Sequence, residues 1–398
     1  PITSTLPSLG YHHTHPLFQE LSVQLSVLLT KNAIEPVTDG SPGFYSRLFL
    51  VPKKNGEWRP VIDLSALNQF LSPPHFQMET LRSIMAATQV GKWATSIDLK
   101  DAFFHIPIAP RHRRYLRFLV NGKIYQFRAL PFGLGMSTYV FTRVMRAVGS
   151  YARAQGLLLF LYLDDWLLLS SSSIEGQLWI QWLLDLVVAL GLLPNIPKCD
   201  LVPSQSYTFI GVLFNLVSGM ACPAPHRVAA FQVLLRLFNS HQSPPAAIWQ
   251  QLLGHLTSLE PLVSRGRLFM RPLQYCLRSQ WSQSTDSPQV LVMPTEHVPP
   301  ALEWWSVPGR LTQGVSFLPT SPDLRLFTDA STEGWGAHLD DLRTAGIWST
   351  RQALLHINNL ELLAVQLALQ DFLPSVRGRH VLVMTDNTTV VSQIRNQG

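Results

Sequence analysis

Only three cysteines occur in 398 residues, Cys199, Cys222 and Cys276, and no two of them form a CxxC pair. That spacing excludes a disulfide framework and a zinc site, and it fits a reducing compartment. Charge is also sparse, at 14% of residues against 46% hydrophobic, which excludes a disordered chain. Long apolar runs are missing too. The stretch "LLLFLYLDDWLLLS" over 157–170 is broken at its centre by Asp164 and Asp165, and it falls short of the ~20 residues that a spanning helix needs. No signal-peptide pattern opens the chain. The expectation is an intracellular protein, cytoplasmic or nuclear, not secreted and with no membrane partner. The chain begins at Pro1 rather than Met and stops at Gly398 within what reads as an element, so it is read as part of a larger polyprotein.

The net charge of +6 suits a polyanionic partner without proving one. The length suggests two or more domains. Desolvating the adjacent carboxylates of Asp164 and Asp165 is expensive unless a cation meets them. A plain hairpin turn also accommodates Asp. In that reading 157–163 and 166–169 are buried strands with the acids at the tip, where alternation aims the two carboxylates to opposite sides. One pair is a weak signal, and a metal site needs a third acid. "ATSIDLKDAFFHIPI" puts Asp98 at the end of a β-prone run, with Asp101 three residues on. Alone, such an Asp caps a turn. Two neighbouring strands that each end in a carboxylate can hold two Mg²⁺ about 4 Å apart, the arrangement used for in-line phosphoryl transfer.

Along the chain, residues 1–16 read as a polar leader, with His12, His13 and His15 as weak metal candidates. A helix is expected over 17–29, a hairpin over 46–63 turning at Asn55-Gly56, a helix over 77–88, and strands near 93–98 and 115–127. A helix from Ser137, as N-cap, to Ala154 has Val140, Val144, Met145 and Val148 as its apolar face. Its Arg143, Arg146 and Arg153 read as a solvated face or a phosphate track. A helix over 174–190, strands at 207–214 and three helices over 225–282 follow. The last carry Arg265, Arg267, Arg271 and Arg278 as a nucleic-acid-backbone surface. Seven prolines between Pro288 and Pro322 read as a linker. Strands at 324–329, 334–339 and 344–348, a helix at 358–372 and a strand at 380–385 complete the chain.

The ordered motifs "VPKKNGEWRPVIDLSALN", "SIDLKDAFFHIPI", "ALPFGLGMSTYVFT", "LYLDDWLLLS" and "YTFIGVLFN" resemble those of reverse transcriptases. The resemblance is nearest to the DIRS group of retrotransposons, with gypsy-like and pararetroviral polymerases next. It implies a multidomain α/β and α+β fold, a right-hand polymerase with fingers, palm and thumb followed by a partial ribonuclease H-like domain. The expected boundaries are a leader and helix over 1–40, fingers and palm over 41–222, a thumb-like region over 223–287, a connection over 288–322 and the ribonuclease H-like part over 323–398. It makes Asp98, Asp164 and Asp165 the catalytic, metal-binding carboxylates, with the Leu99 carbonyl as a further ligand. Lys53 and Arg59 would grip the incoming triphosphate, beside Asp101 and Ala102. Phe103 would exclude a ribose 2′-hydroxyl, although a core aromatic is the alternative. Phe132 stands where retroviral enzymes carry Gln, so packing is expected there. Lys198 in "PNIPKCD" matches a lysine proposed to protonate pyrophosphate.

Asp329 in "LRLFTDAS", Glu361 in "NNLELLAVQLALQDF" and Asp386 in "HVLVMTDNTT" form a second acidic set. An acid in a first helical turn also benefits from the helix dipole, which is the ordinary explanation for Glu361. The strand-strand-strand-helix-strand spacing resembles ribonuclease H. The family's fourth metal-binding residue, last strand and last helix are expected beyond Gly398. The resemblance implies DNA synthesis on RNA or DNA templates with two Mg²⁺ per active site, Mn²⁺ able to substitute, and degradation of RNA in RNA–DNA hybrids. The implied partners are primer–template, hybrid, deoxynucleoside triphosphates and other segments of the polyprotein. An RNA-dependent RNA polymerase is a rival, opposed by Phe103 and the second acidic set. A decayed or domesticated nucleic-acid-binding protein is another, opposed by six intact acids.

Overall fold

The β-prone run Trp93–Asp98 and the apolar centre of Asp165–Ser170 favour adjacent buried strands. In the computed structural model they form the centre of an antiparallel sheet in the order Leu158–Tyr162, Asp165–Ser170, Trp93–Asp98, Asp200–Ser204. The structure describes residues 17–38, 40–52, 56–307, 309–318 and 321–396, and it divides into two units, 1–224 and 225–398. The leader histidines and Lys53 lie outside the described residues.

In the first unit, helices Ser137–Ala154 and Ser173–Ala189 close a core of Ile97, Phe141, Met145, Trp166, Leu168, Ile180 and Leu183. The first helix has the expected span, but its buried side is Phe141, Met145, Gly149 and Ala152, while Val144 is exposed. A Cβ at Gly149 would lie 2.5 Å from Leu161 Cδ1, so Leu161 packs against the bare backbone there and would have to shift for a side chain. Ser137 is not its N-cap: that place is Met136, and the Ser137 hydroxyl donates to Pro131 O at 2.8 Å. Arg146 donates to Gln77 O, and Arg153 to Leu159 O while pairing with Glu79, so both guanidiniums are engaged within the protein.

A hairpin of Arg47–Pro52 and Trp58–Asp63 and a sheet of Ile34–Pro36, Lys123–Phe127 and Arg117–Val120 share a second core with helix Phe18–Thr30. Arg117 is buried there, donating to Gln126 Oε1 at 3.2 Å and to Ser41 Oγ at 2.8 Å. The expected strands at 207–214 are Ser206–Phe209 and Val212–Asn215, extended by Met220–Pro223 into an antiparallel meander.

In the second unit, helices Pro225–Asn239, Ala246–Leu259 and Gly266–Gln280 surround Phe231, Trp249, Leu256 and Leu273. Arg267 of this region pairs with Glu260 at 3.7 Å. The stretch expected as a linker is different in kind. Val298–Ser306 is a helix with Pro299 and Pro300 near its start, where proline is tolerated, and it buries Val298, Ala301 and Trp305 in this core. Four strands follow in the order Leu342–Ile347, Gly334–Leu339, Leu324–Ala330, Val381–Met384, packed on helix Ile357–Asp371. Thr388–Asn396 adds a further helix. Among the described residues no helix is long and apolar enough to cross a membrane.

Candidate active site

The antiparallel register sets Asp98 directly opposite Asp165. By alternation both lie on the face opposite the helix-covered Ile97 and Trp166. Asp164 occupies the turn between Leu158–Tyr162 and Asp165–Ser170. Leu163 beside it takes a φ of 54°, a left-handed conformation that a leucine adopts only where its surroundings hold it. Two bonds hold it: the Trp166 indole donates to Leu163 O at 3.1 Å, and the Leu99 N–H donates to Asp164 O at 2.9 Å. The turn is thereby tied to the end of the Asp98 strand.

Charge and burial act on two of these acids. Burial, then the charges of Asp164 and Asp98, push the Asp165 carboxyl up to about 6, with Lys198 opposing. Burial and the Asp98 charge raise Asp164 as well, against its own backbone hydrogen bond, Lys198 and Arg59. Asp164 and Asp165, both held up in this way, are suited to a cation that would compensate them.

The surrounding residues divide into those whose charge reaches the acids and those that pack. Arg59 lies over the Phe132 ring at 5.2 Å, so Phe132 steadies a guanidinium whose charge reaches Asp164. Phe103, half-buried, packs at 5.1 Å from Phe132 and 5.5 Å from Phe141. Asp101, at φ 54°, pairs with Lys31 at 2.7 Å, while Ala102 is buried beside it. Lys198 ends the short 3₁₀ turn Ile196–Lys198. Sequence reasoning missed Lys31 and Asn195. The Asn195 amide donates to Asp98 Oδ1 at 2.7 Å, yet its signal was only its place in "PNIPKCD".

The second set is drawn closer. Leu324–Ala330 and Val381–Met384 run parallel with Phe327 opposite Met384, so Asp329, near the end of the first strand, and Asp386, just past the second, come two residues further on at the same end of the sheet. Glu361 comes from the helix packed on this sheet, and one oxygen from each acid lies within 4.8 Å of the others. The helix starts at Ile357, which puts Glu361 past its first turn and weakens the dipole explanation. Glu361 is 5% exposed, and its Oε2 is buried without a hydrogen-bond partner. Burial first, then Asp329 and Asp386, raise its pKa, while the Ala330 N–H opposes. An orphaned buried carboxylate oxygen facing two more acids fits a divalent cation. Asn387 donates to Asn358 Oδ1 at 3.0 Å, linking the Asp386 loop to the Glu361 helix.

Polymerase-type fold and acids coincide with a family match. Residues 51–214 match the model of the reverse transcriptase (RNA-dependent DNA polymerase) family. A putative enzymatic polyprotein of Cassava vein mosaic virus is 22% identical over 98% of this chain and 60% of its own length. The retrovirus-related Pol polyprotein from transposon 412 of Drosophila melanogaster is 27% identical over 41% of the chain and 13% of its own length. The chain thus spans less than two thirds of the length of these relatives. The solved foamy viral protease-reverse transcriptase dRH in complex with double-stranded DNA superposes at a TM-score of 0.65, with 17% identity, over 98% of this chain and 67% of that one. The fold is that of a polymerase. Residues 51–214 are similar to the reverse transcriptase domain carried by retroelement polyproteins.

Proposed function

We propose that this chain is an RNA- and DNA-directed DNA polymerase of a retroelement, with a second, ribonuclease H-type site that cleaves RNA in RNA–DNA hybrids. The observation that carries the reading is the Asp98–Asp165 cross-strand pair beside the Asp164 turn, inside the segment matching the reverse transcriptase family. Asp98, Asp164 and Asp165, with the Leu99 carbonyl, would hold two Mg²⁺. When bound, such ions ease loss of the primer 3′-hydroxyl proton and neutralise the leaving pyrophosphate. The primer 3′-oxygen forms the new bond to the α-phosphorus as the bond to pyrophosphate breaks.

Arg59, steadied by the Phe132 ring, binds the triphosphate together with Lys53, and Asp101–Ala102 border the same pocket. Phe103, braced by Phe132 and Phe141, presents bulk where a ribose 2′-hydroxyl would lie. Lys198 places positive charge near the acids and offers a proton to pyrophosphate. In the second unit, Asp329, Glu361 and Asp386 would hold Mg²⁺ for attack of water on an RNA phosphodiester. The quoted motifs favour a DIRS-type element, whose other polyprotein segments would be partners. Primer extension on RNA and DNA templates, with deoxy- and ribonucleotides compared, tests the reading. Deoxynucleotide-specific extension on both templates is expected, and binding without extension would support the decayed-element reading instead.

A further inference from the structure

The Asp98 carboxylate is held from outside its own strand. Asn195 Nδ2 donates to Asp98 Oδ1 at 2.7 Å, and the Asn195 backbone N–H donates to Asp98 O, also at 2.7 Å. An ionised carboxylate only accepts hydrogen bonds, so its partner must be the amide nitrogen and the orientation of the Asn195 side chain is fixed. Cys199 closes the other side: the Asp98 N–H donates to its sulfur at 3.4 Å, and the thiol lies 3.3 Å from Asn195 O. Lys100 N–H donates to Leu193 O at 2.8 Å and Lys198 N–H to Asn195 O at 2.8 Å. The segment 193–199 is thus bonded along the end of the Asp98 strand and carries Lys198 on the same short turn.

We propose that Asn195 is a positioning residue for nucleotidyl transfer, fixing the Asp98 carboxylate so that one oxygen is engaged by the amide and the other is presented to the metal. This rests on the polymerase reading above. The reason is conformational. Asp χ2 is a broad, roughly two-fold torsion, and strand pairing fixes the backbone but leaves the carboxylate free to rotate. A donor on one oxygen removes that freedom, as outer hydrogen-bond partners do for metal-ligating carboxylates. Asn195→Leu keeps similar bulk and removes the side-chain donor, whereas Asn195→Gln keeps a donor on a longer stem that cannot take the same position against Asp98 Oδ1.

The direct test uses the full chain in an Asp386→Asn background, to weaken metal binding at the second acidic set. Binding of Mn²⁺ alone is followed by electron paramagnetic resonance, which needs no polymerase activity. Asn195→Leu is expected to weaken the tightest remaining Mn²⁺ site about 10- to 100-fold, the usual effect of losing such a partner. In primer extension, the Mg²⁺ concentration for half-maximal rate should rise and kcat should fall, with primer–template affinity and the deoxynucleotide KM nearly unchanged. Asn195→Gln should lie between. Unaltered Mn²⁺ affinity in Asn195→Leu with a wild-type circular dichroism spectrum overturns the proposal. A parallel loss of primer–template binding overturns it too, since that marks a general structural role. Failure of the wild-type chain to extend any primer sinks the polymerase reading instead, while the Mn²⁺ arm still decides whether Asn195 orders Asp98.

Discussion

Replacing Asp165 by Asn should stabilise the metal-free protein at neutral pH while removing its capacity for synthesis. Asn is nearly isosteric, and its amide can still bond the Asp98 carboxylate, so the change mainly removes one repelling charge. Burial and the neighbouring acids raise Asp165 from 3.8 to about 6. At about 1.4 kcal/mol per unit, that gives an upper bound of about 3 kcal/mol. Asp165 is only partly buried, and solvent screening reduces the figure to on the order of 1–2 kcal/mol. The sign follows from linkage. Below pH 4 the carboxyl is protonated in both states and imposes no penalty. Between pH 4 and 6 the unfolded chain ionises first, which favours unfolding, and above pH 6 the penalty is complete. In EDTA, the melting temperature of the variant should therefore match wild type near pH 4. It should exceed wild type by several degrees at pH 7–8, at about 2–4 °C per kcal/mol for a unit of this size. Mg²⁺ should raise wild type more than the variant. A variant less stable than wild type in EDTA at pH 7–8 would refute the reasoning, because Asp165 would then be a net stabilising charge.

Further tests reach other parts of the fold. Phe103→Val should raise ribonucleotide relative to deoxynucleotide incorporation by at least an order of magnitude, and an unchanged ratio in a folded variant assigns Phe103 to packing alone. Gly43→Ala places a Cβ 2.8 Å from Arg114 O and 2.6 Å from Arg117 Cδ, so it should lower stability by about 1–3 kcal/mol in chemical denaturation; an unchanged midpoint contradicts that packing. Glu361→Gln should raise the metal-free melting temperature at pH 7–8, where ionisation of a buried acid with a raised pKa is penalised, and should blunt stabilisation by Mg²⁺. Equal Mg²⁺ responses in variant and wild type would remove Glu361 from the second site.

Legibility from sequence follows the physics of each element. The strand ending at Asp98 and the Asp164–Asp165 hairpin were readable because β-prone runs end abruptly in acids. The buried side of Ser137–Ala154 was not, because hydrophobicity ranked Val144 above Gly149, whereas close approach to Leu161 gave the contact to the residue without a side chain. The proline-dense 288–322 concealed a helix because Pro299 and Pro300 fall near its start, where their missing N–H groups cost little. Asp329 and Asp386 follow from a parallel register that their strand-end positions foretold, but the burial of Glu361 was not legible, because it depends on how the helix, which begins one residue earlier than expected, packs on the sheet. Asn195 was invisible, because a partner nearly a hundred residues from Asp98 leaves no local pattern.

The central claim is that Asp98, Asp164 and Asp165 perform nucleotidyl transfer. Its most direct test is single-nucleotide extension of a labelled primer by the wild-type chain and by Asp164→Asn, with primer–template binding measured on the same preparations. The account predicts Mg²⁺-dependent extension by wild type, reduced by at least a thousandfold in Asp164→Asn, with primer–template affinity within a few-fold because binding rests on phosphate contacts. Extension by Asp164→Asn at a rate near wild type would contradict it.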